Sequence, residues 1–365
     1  MGIFLNFALY MTKEGYIKDA ICLLEELIST PSVSRNEARA ADVIMRHIQK
    51  YGFTAKRESN NVWIIDPHFD MSRPTLLLNA HIDTVRPVES WTRKPFSPTI
   101  EGDCLYGLGS NDCGGGLVTL LQVFRTLMPL HRSFNLIYLA SAEEEISGAD
   151  GIRRAIPLLP KIDVAIVGEP TSMQPAIAEK GLMVLDITAH GTSGHAARSE
   201  GVNAIYEALD DLNWLSSYQF KKVSPFLGAT LMNVTMINAG TQHNVIPDEC
   251  HMVVDIRINE YYDNKEICDF ICQHVKSDVK ARSFHLRSSH ISPKHPLVRK
   301  CMEMGMKPFG SPTLSDQALM CFPSLKLGPG SSSRSHSADE FIRISEIRDA
   351  FNSYLNLLTG LNLIS

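Results

Sequence analysis

Four places in this chain set histidine or carboxylate side chains where a cation could be gripped. His81 and Asp83 follow the apolar run 75–79, TLLLN. Glu143, Glu144 and Glu145 follow the run 136–140, LIYLA, and Glu169 follows 163–167, DVAIV. Asp112 lies in a glycine-rich turn, GLGSNDCGGG, at 107–116. Taken singly, each has a bland explanation. A His-x-Asp is usually a surface pair, and three glutamates are usually a solvated helix start. The glycine-rich turn suggests a phosphate loop, but it has neither the Lys-Ser/Thr of a P-loop nor the GxGxxG spacing of a dinucleotide fold. Together they point elsewhere, because in an open α/β sheet the carboxyl ends of the strands form one ligand-binding edge. His336 adds a possible fifth ligand from a Gly/Ser-rich loop at 328–340, which alone would read as a polar helix-capping loop.

The elements that must position these residues alternate. Helical periodicity spans 16–29, and Pro31 ends it. Ser34 and Glu37 form a capping-box pattern opening a second helix through about residue 50. A short strand covers 62–65, the three apolar runs are buried strands, and helices cover 115–127 and about 148–156. Fully apolar strands alternating with helices imply an α/β sheet covered on both faces. The pattern then changes to half-exposed strands at 182–190, 230–237 and 249–258, with helices at 203–217 and 265–280. That is a βαββαβ, ferredoxin-like α+β module with one covered face. After about 289 the chain reads as α/β again and ends in a helix at 345–358. The expected domains are therefore 1–178 with 289–365, interrupted by an inserted module at 179–288.

Composition narrows the function class. A chain of 365 residues suits two domains. With 44% apolar and 21% charged residues and a net charge of −5, it has the balance of a globular protein without a basic face for nucleic acid. Eight scattered cysteines with no CxxC pair read as reduced thiols and a cytoplasmic location. The start, MGIFLNFALYMTKEGY, lacks a basic region and a cleavage site and is too short to span a bilayer; translation from Met11 would leave ten residues as an extension.

The motifs AHIDTV, GLGSNDCGGG, SAEEE, GEPT and SHSADEF occur in order between residues 80 and 341. In this they resemble the co-catalytic zinc peptidase and deacylase family, which includes acetylornithine deacetylase, succinyl-diaminopimelate desuccinylase, carboxypeptidase G2 and the aminoacylases. The resemblance implies a zinc-peptidase-like catalytic domain with a central mixed sheet, and an inserted domain serving as lid and dimerisation surface. It implies two Zn²⁺, with Co²⁺ or Mn²⁺ as substitutes: His81 and Glu169 on one, Glu145 and His336 on the other, Asp112 on both. Asp83 would hydrogen-bond the distal nitrogen of His81. Glu144 would be the general base and His195 would stabilise the oxyanion, often across a dimer interface. Asn244 and Arg257 match positions that bind the substrate carboxylate or shape its pocket in relatives, Arg257 having a structural salt bridge as its other explanation; Lys180 and Arg334 are further candidates for the same anionic end. The resemblance also implies a cis peptide after Asp112. Here the chain departs from the commoner Asp-Met-Lys/Gly pattern with Cys113 and Gly114, and Cys113 is set aside as a ligand because neighbouring side chains diverge.

The chemistry fits these roles. Two dications and three carboxylate ligands leave a net positive centre that polarises an amide carbonyl and lowers the pKa of a bridging water. A carboxylate beside that water can take its proton and pass it to the leaving amine. The expected activity is cleavage of an N-acyl amino acid, N-acetyl- or N-succinyl-ornithine or citrulline, in arginine biosynthesis by a cytoplasmic homodimer. The alternatives are a di- or tripeptidase, a succinyl-diaminopimelate desuccinylase, and a non-catalytic binding protein on the same fold. Neither nucleic acid nor membrane is an expected partner.

Overall fold

The computed structural model describes residues 11–198 and 200–363; the ten-residue extension considered above lies outside them. The chain divides into two compact units. Of the described residues, the larger holds 11–177, Ile291–Phe309 and 315–363. The smaller holds Ala178–His290 with Gly310–Leu314.

In the larger unit, strands follow one another across a mixed sheet in the order Ala55–Glu58, Asn61–Ile65, Asn135–Ser141, Thr75–His81, Val164–Val167 and Ser324–Lys326. Asn135–Ser141, Thr75–His81, Val164–Val167 and Ser324–Lys326 run parallel. Their register sets His81 level with Ser141, Asn79 with Val167, and Val167 with Lys326, so the residues after each strand emerge at one edge. Thr75–His81 and Asn135–Ser141 are buried along their whole length, as continuous apolar runs require. The helix Gly115–Leu127 is buried at nearly every position, packing on the sheet and on the helices Lys13–Ile28 and Ile344–Leu358.

Several local expectations change. The first helix begins at Lys13 because Thr12 caps it through Gly15 N–H, 3.1 Å. Ser34 is not a helix cap: the second helix is Ala38–Lys50, and Ser34 Oγ donates instead to Asp83 Oδ2 at 2.7 Å. The helix expected at 148–156 is only Ile152–Ala155, because the preceding loop wraps the Glu143 carboxylate, which accepts from Asp150 N–H. A three-stranded sheet of Thr99–Glu101, Cys104–Tyr106 and Phe341–Arg343 had no signal in the periodicity.

The smaller unit is an antiparallel four-stranded sheet ordered Leu231–Ala239, Glu249–Ile258, Gly181–His190, Asp278–Ala281, in βαββαβ connection with the helices Ala204–Ser217 and Asn264–Cys272. Burial alternates along Gly181–His190 and Glu249–Ile258; Met183, Leu185, Ile187, Met252, Val254 and Ile256 face a core shared with Ala208, Leu215, Ile267 and Ile271. The helix expected to reach residue 280 stops at Cys272. Asp211 accepts from Lys276 N–H, Ser277 N–H and Ser277 Oγ, turning the chain into the last strand. The stretch 289–365 does not stay wholly with the larger unit. Gly310 lies so close to the Phe226 carbonyl that a β-carbon would collide with it, and Lys180 N–H bonds the Ser311 carbonyl, so 310–314 belong to the smaller unit.

Candidate metal centre

His81 is the last residue of its strand, and its ring is gripped at both nitrogens. Nδ1 lies 2.9 Å from the Asp83 carbonyl oxygen and 3.5 Å from the Asp83 carboxylate. The nearer acceptor is thus the main chain, where the resemblance implied the side chain. The Asp83 carboxylate accepts from Glu144 N–H at 3.0 Å, Glu145 N–H at 3.2 Å and Ser34 Oγ at 2.7 Å. One buried carboxylate therefore ties the end of one strand to the glutamate turn of the next. His81 and Ser34 hold Asp83 below the usual carboxylate range against the effect of burial.

His81 Nε2 faces three carboxylates: Asp112 Oδ1 at 3.3 Å, Glu169 Oε1 at 3.5 Å and Glu144 Oε2 at 3.9 Å. On the other side, His336 Nε2 is 2.8 Å from Glu145 Oε2 and 3.7 Å from Asp112 Oδ2. The two oxygens of Asp112 thus look to different histidines. The Asp112–Cys113 peptide is cis. At Gly116 any β-carbon would collide with the Gly168 carbonyl, so the helix start can approach the strand that delivers Glu169 only as glycine.

The electrostatics are those of anions crowded together. Burial pushes the Glu144 carboxyl well above its ordinary value, and Glu169, Asp316 and Glu145 add to the shift against His81. Burial and Asp112 push Glu169 up to about 8. The hydrogen bond that His336 donates to the Glu145 carboxylate raises the imidazole to about 9. Glu169 Oε1 is buried with no hydrogen-bond partner among the described residues. An orphaned oxygen among carboxylates and imidazoles is the donor set of a divalent cation, so the residues fit a pair of metal ions sharing Asp112.

Cys113 is closer than its dismissal assumed. Its Sγ and ligand atoms of His81 and Glu169 lie within 4.8 Å of one another. The thiol donates to the Gly168 carbonyl at 3.0 Å, and burial raises its pKa well above the ordinary thiol value. The third glutamate, Glu143, turns away to the 148–150 loop. Arg334 pairs with Glu346 through two contacts of 2.7 Å, a structural role.

His195, Asn244 and Arg257 lie in the smaller unit. His195 is on a two-residue strand paired with Val245–Ile246, and Ala196 N–H bonds the Asn244 carbonyl, so these two residues are neighbours. Arg257 Nε and Nη2 bind Asp255 at 2.9 and 3.1 Å. Lys180 Nζ donates to the Ala229 carbonyl.

Three further residues shape the centre without a signal for that role in the local sequence. Ser34 was assigned to a helix cap. Asp316 is buried, accepts from Ser141 Oγ and is raised to about 7 by burial. Glu340, inside the quoted SHSADEF motif, accepts three main-chain N–H groups around Asp112.

Residues 77–360 match peptidase family M20/M25/M40. The chain belongs to that family. It is accordingly a metal-dependent hydrolase by descent, and the mixed sheet with its inserted ferredoxin-like unit is the family's fold. Among solved structures, it resembles the Bacillus subtilis YXEP protein, described as a dinuclear metal-binding peptidase, at 16% identity over 96% of this chain and 100% of that one, TM-score 0.74. An M20 metallo-carboxypeptidase from Sulfolobus solfataricus matches at 18% identity over 93% and 98%, TM-score 0.71. A Staphylococcus aureus tripeptidase matches at 18% over 94% and 98%, TM-score 0.72. At such identities the likeness is one of fold. No helix among the described residues is long and apolar enough to cross a membrane.

Proposed function

We propose that this centre hydrolyses the amide bond of an N-acyl amino acid, of the N-acetyl- or N-succinyl-ornithine or citrulline kind, as a step of cytoplasmic arginine biosynthesis. The observation that carries the hydrolytic reading is the division of Asp112: Oδ1 toward His81, Oδ2 toward His336, with Glu144 beside them. In this reading His81 and Glu169 hold one zinc, Glu145 and His336 the other, and Asp112 both, with cobalt or manganese as replacements. Bound there, the metals would supply a Lewis acid for the amide carbonyl and a more acidic water.

The remaining work falls to side chains. The Glu144 carboxylate takes a proton from the attacking water and returns it to the leaving nitrogen. Asp83 keeps that carboxylate in place through the Glu144 N–H, and keeps the His81 ring oriented. His195 donates to the oxyanion, and Asn244 and Arg257 grip the substrate carboxylate, for which a guanidinium fork is suited. We place a second copy of the chain against the smaller unit. Leu231–Ala239 is an edge strand, and Leu231, Met236 and Ile237 on it and Tyr206 and Leu209 on the helix Ala204–Ser217 are exposed apolar side chains.

A second reading is cleavage of di- or tripeptides, favoured by the tripeptidase and carboxypeptidase among the similar structures. A panel of N-acetylornithine, N-acetylcitrulline, N-succinylornithine, N-succinyl-diaminopimelate and Gly-X dipeptides separates the two. Turnover of an acylated ornithine or citrulline is expected; turnover of dipeptides alone overturns the deacylase reading.

A further inference from the structure

Glu340 stands four residues beyond His336, and its carboxylate is almost wholly buried, 2% exposed. Among the described residues it meets no cation. Oε1 accepts from Asn111 N–H at 2.8 Å and Asp112 N–H at 2.9 Å, and Oε2 accepts from Gly109 N–H at 3.0 Å. The Glu340 carbonyl accepts from Gly107 N–H, 3.0 Å. Four hydrogen bonds thus join one residue to the turn that ends in Asp112.

The same loop is fastened at its other end. Asn111 Oδ1 accepts from Ser331 N–H at 3.0 Å and its Nδ2 donates to the Ser331 carbonyl at 3.1 Å. Beside Glu340, Asp339 accepts from Thr92 N–H and Oγ1 and from Arg93 N–H. His336, the sole imidazole of the loop, hangs between these two fastenings. Its distance from Asp112 is therefore decided by main-chain bonds converging on Asn111 and Glu340.

We propose that Glu340 is a positioning residue: it clamps the Asp112 turn and the His336 loop in one geometry before any metal arrives. It does for Asp112 what Asp83 does for Glu144 and Glu145, since each is a buried carboxylate collecting the N–H groups of a ligand-bearing turn. A carboxylate is required because three donors converge on it. A glutamine offers one acceptor oxygen and turns an N–H₂ toward the third donor, leaving it unsatisfied. The proposal rests on Asp112 and His336 being ligands.

Two measurements on the full chain test it. The first uses the wild type stripped of metal with a chelator and follows amide hydrogen exchange. Slow exchange at Gly109, Asn111 and Asp112, equal to that of the zinc-loaded protein, is expected of a preformed clamp. Exchange as fast as in an exposed loop, slowed only by zinc, overturns it. The second compares zinc affinity of wild type and Glu340→Gln by competition with a chromophoric chelator. A loss of about 10- to 100-fold is expected, the range for removing a group that orients a ligand, together with an altered absorption spectrum of the cobalt-substituted variant. Wild-type affinity and spectrum, with only a lower melting temperature, would make Glu340 merely structural. Should Glu340→Gln not fold, the exchange experiment decides alone. Retention of two tightly bound zinc ions by His336→Ala would sink the ligand reading instead, leaving the exchange result untouched.

Discussion

In the small unit, Asp186 meets Arg282 at 2.8 Å and Lys276 meets Asp210 at 3.0 Å, on exposed side chains. At the carboxyl edge of the large unit's sheet, Asp112, Glu144, Glu145 and Glu169 crowd two histidines, and Glu169 Oε1 has no hydrogen-bond partner among the described residues. The first arrangement is neutral, solvated and costs little. The second keeps like charges together out of water, which is unfavourable unless something positive joins them. Pairing marks scaffold, and unbalanced burial marks the place where chemistry is done. A third region sharpens the contrast. Around Asp19, inside the large unit, Arg125 and His47 lie at 2.5 and 3.0 Å, with Tyr51 donating at 2.5 Å and Gln122 at 3.1 Å. Burial alone does not mark function; burial without balance does.

Glu144→Ala should lower turnover by about 10²- to 10⁴-fold while leaving metal content and melting temperature unchanged; wild-type kcat would remove Glu144 from the role of base. Asp19→Asn leaves a buried guanidinium without its anion and should cost about 3–5 kcal/mol in urea unfolding. Its pH signature has a definite sign. His47, Tyr51 and Arg125 outweigh burial and hold the Asp19 carboxyl well below its usual range. The unfolded chain therefore takes up a proton near pH 4 that the folded chain refuses. Stability contributed by Asp19 is full above that pH and is lost as pH falls further. In Asp19→Asn this part of the acid slope should vanish, and an unchanged slope would show that other carboxylates set it.

Metal should matter less to stability than to activity. Zinc at about a hundredfold over its Kd should add about 2.7 kcal/mol per site by mass action, read as a rise in melting temperature over the chelated protein, while chelation should abolish turnover. A melting temperature indifferent to zinc would undo the contrast between balanced and unbalanced burial. Arg282→Ala, on the exposed sheet face, should change stability by no more than about 1 kcal/mol. A larger loss would mean that the small unit's surface pairs hold more than the comparison allows.

How much of this was legible beforehand follows from the range of the interactions. Thr75–His81, Asn135–Ser141 and Val164–Val167 announced themselves as apolar runs, and the helix Gly115–Leu127 fell where its periodicity put it. Short-range pattern suffices there, because burial on both faces needs apolar residues in unbroken sequence. The failures share a cause. Ser34 looked like a cap because Glu37 stands three residues on, yet its partner is Asp83, 49 residues away. The helix expected through 280 ended at Cys272 because Asp211, 65 residues earlier, captured Lys276 N–H. Local propensity was overruled by a contact that no window of sequence contains.

The sequence by itself therefore determined the residue types that gather at one edge of the parallel strands of a mixed sheet, because strand direction and a register of whole residues deliver His81, Glu145 and Glu169 together. Only the tertiary structure decided that Asp112 turns one oxygen to each histidine and that Glu143 turns away. It likewise decided that Glu340 and Asp83 clamp the two turns. Those choices depend on hydrogen bonds between segments up to 231 residues apart, such as Gly109 N–H to Glu340. Their geometry exists only once the sheet has brought the segments side by side.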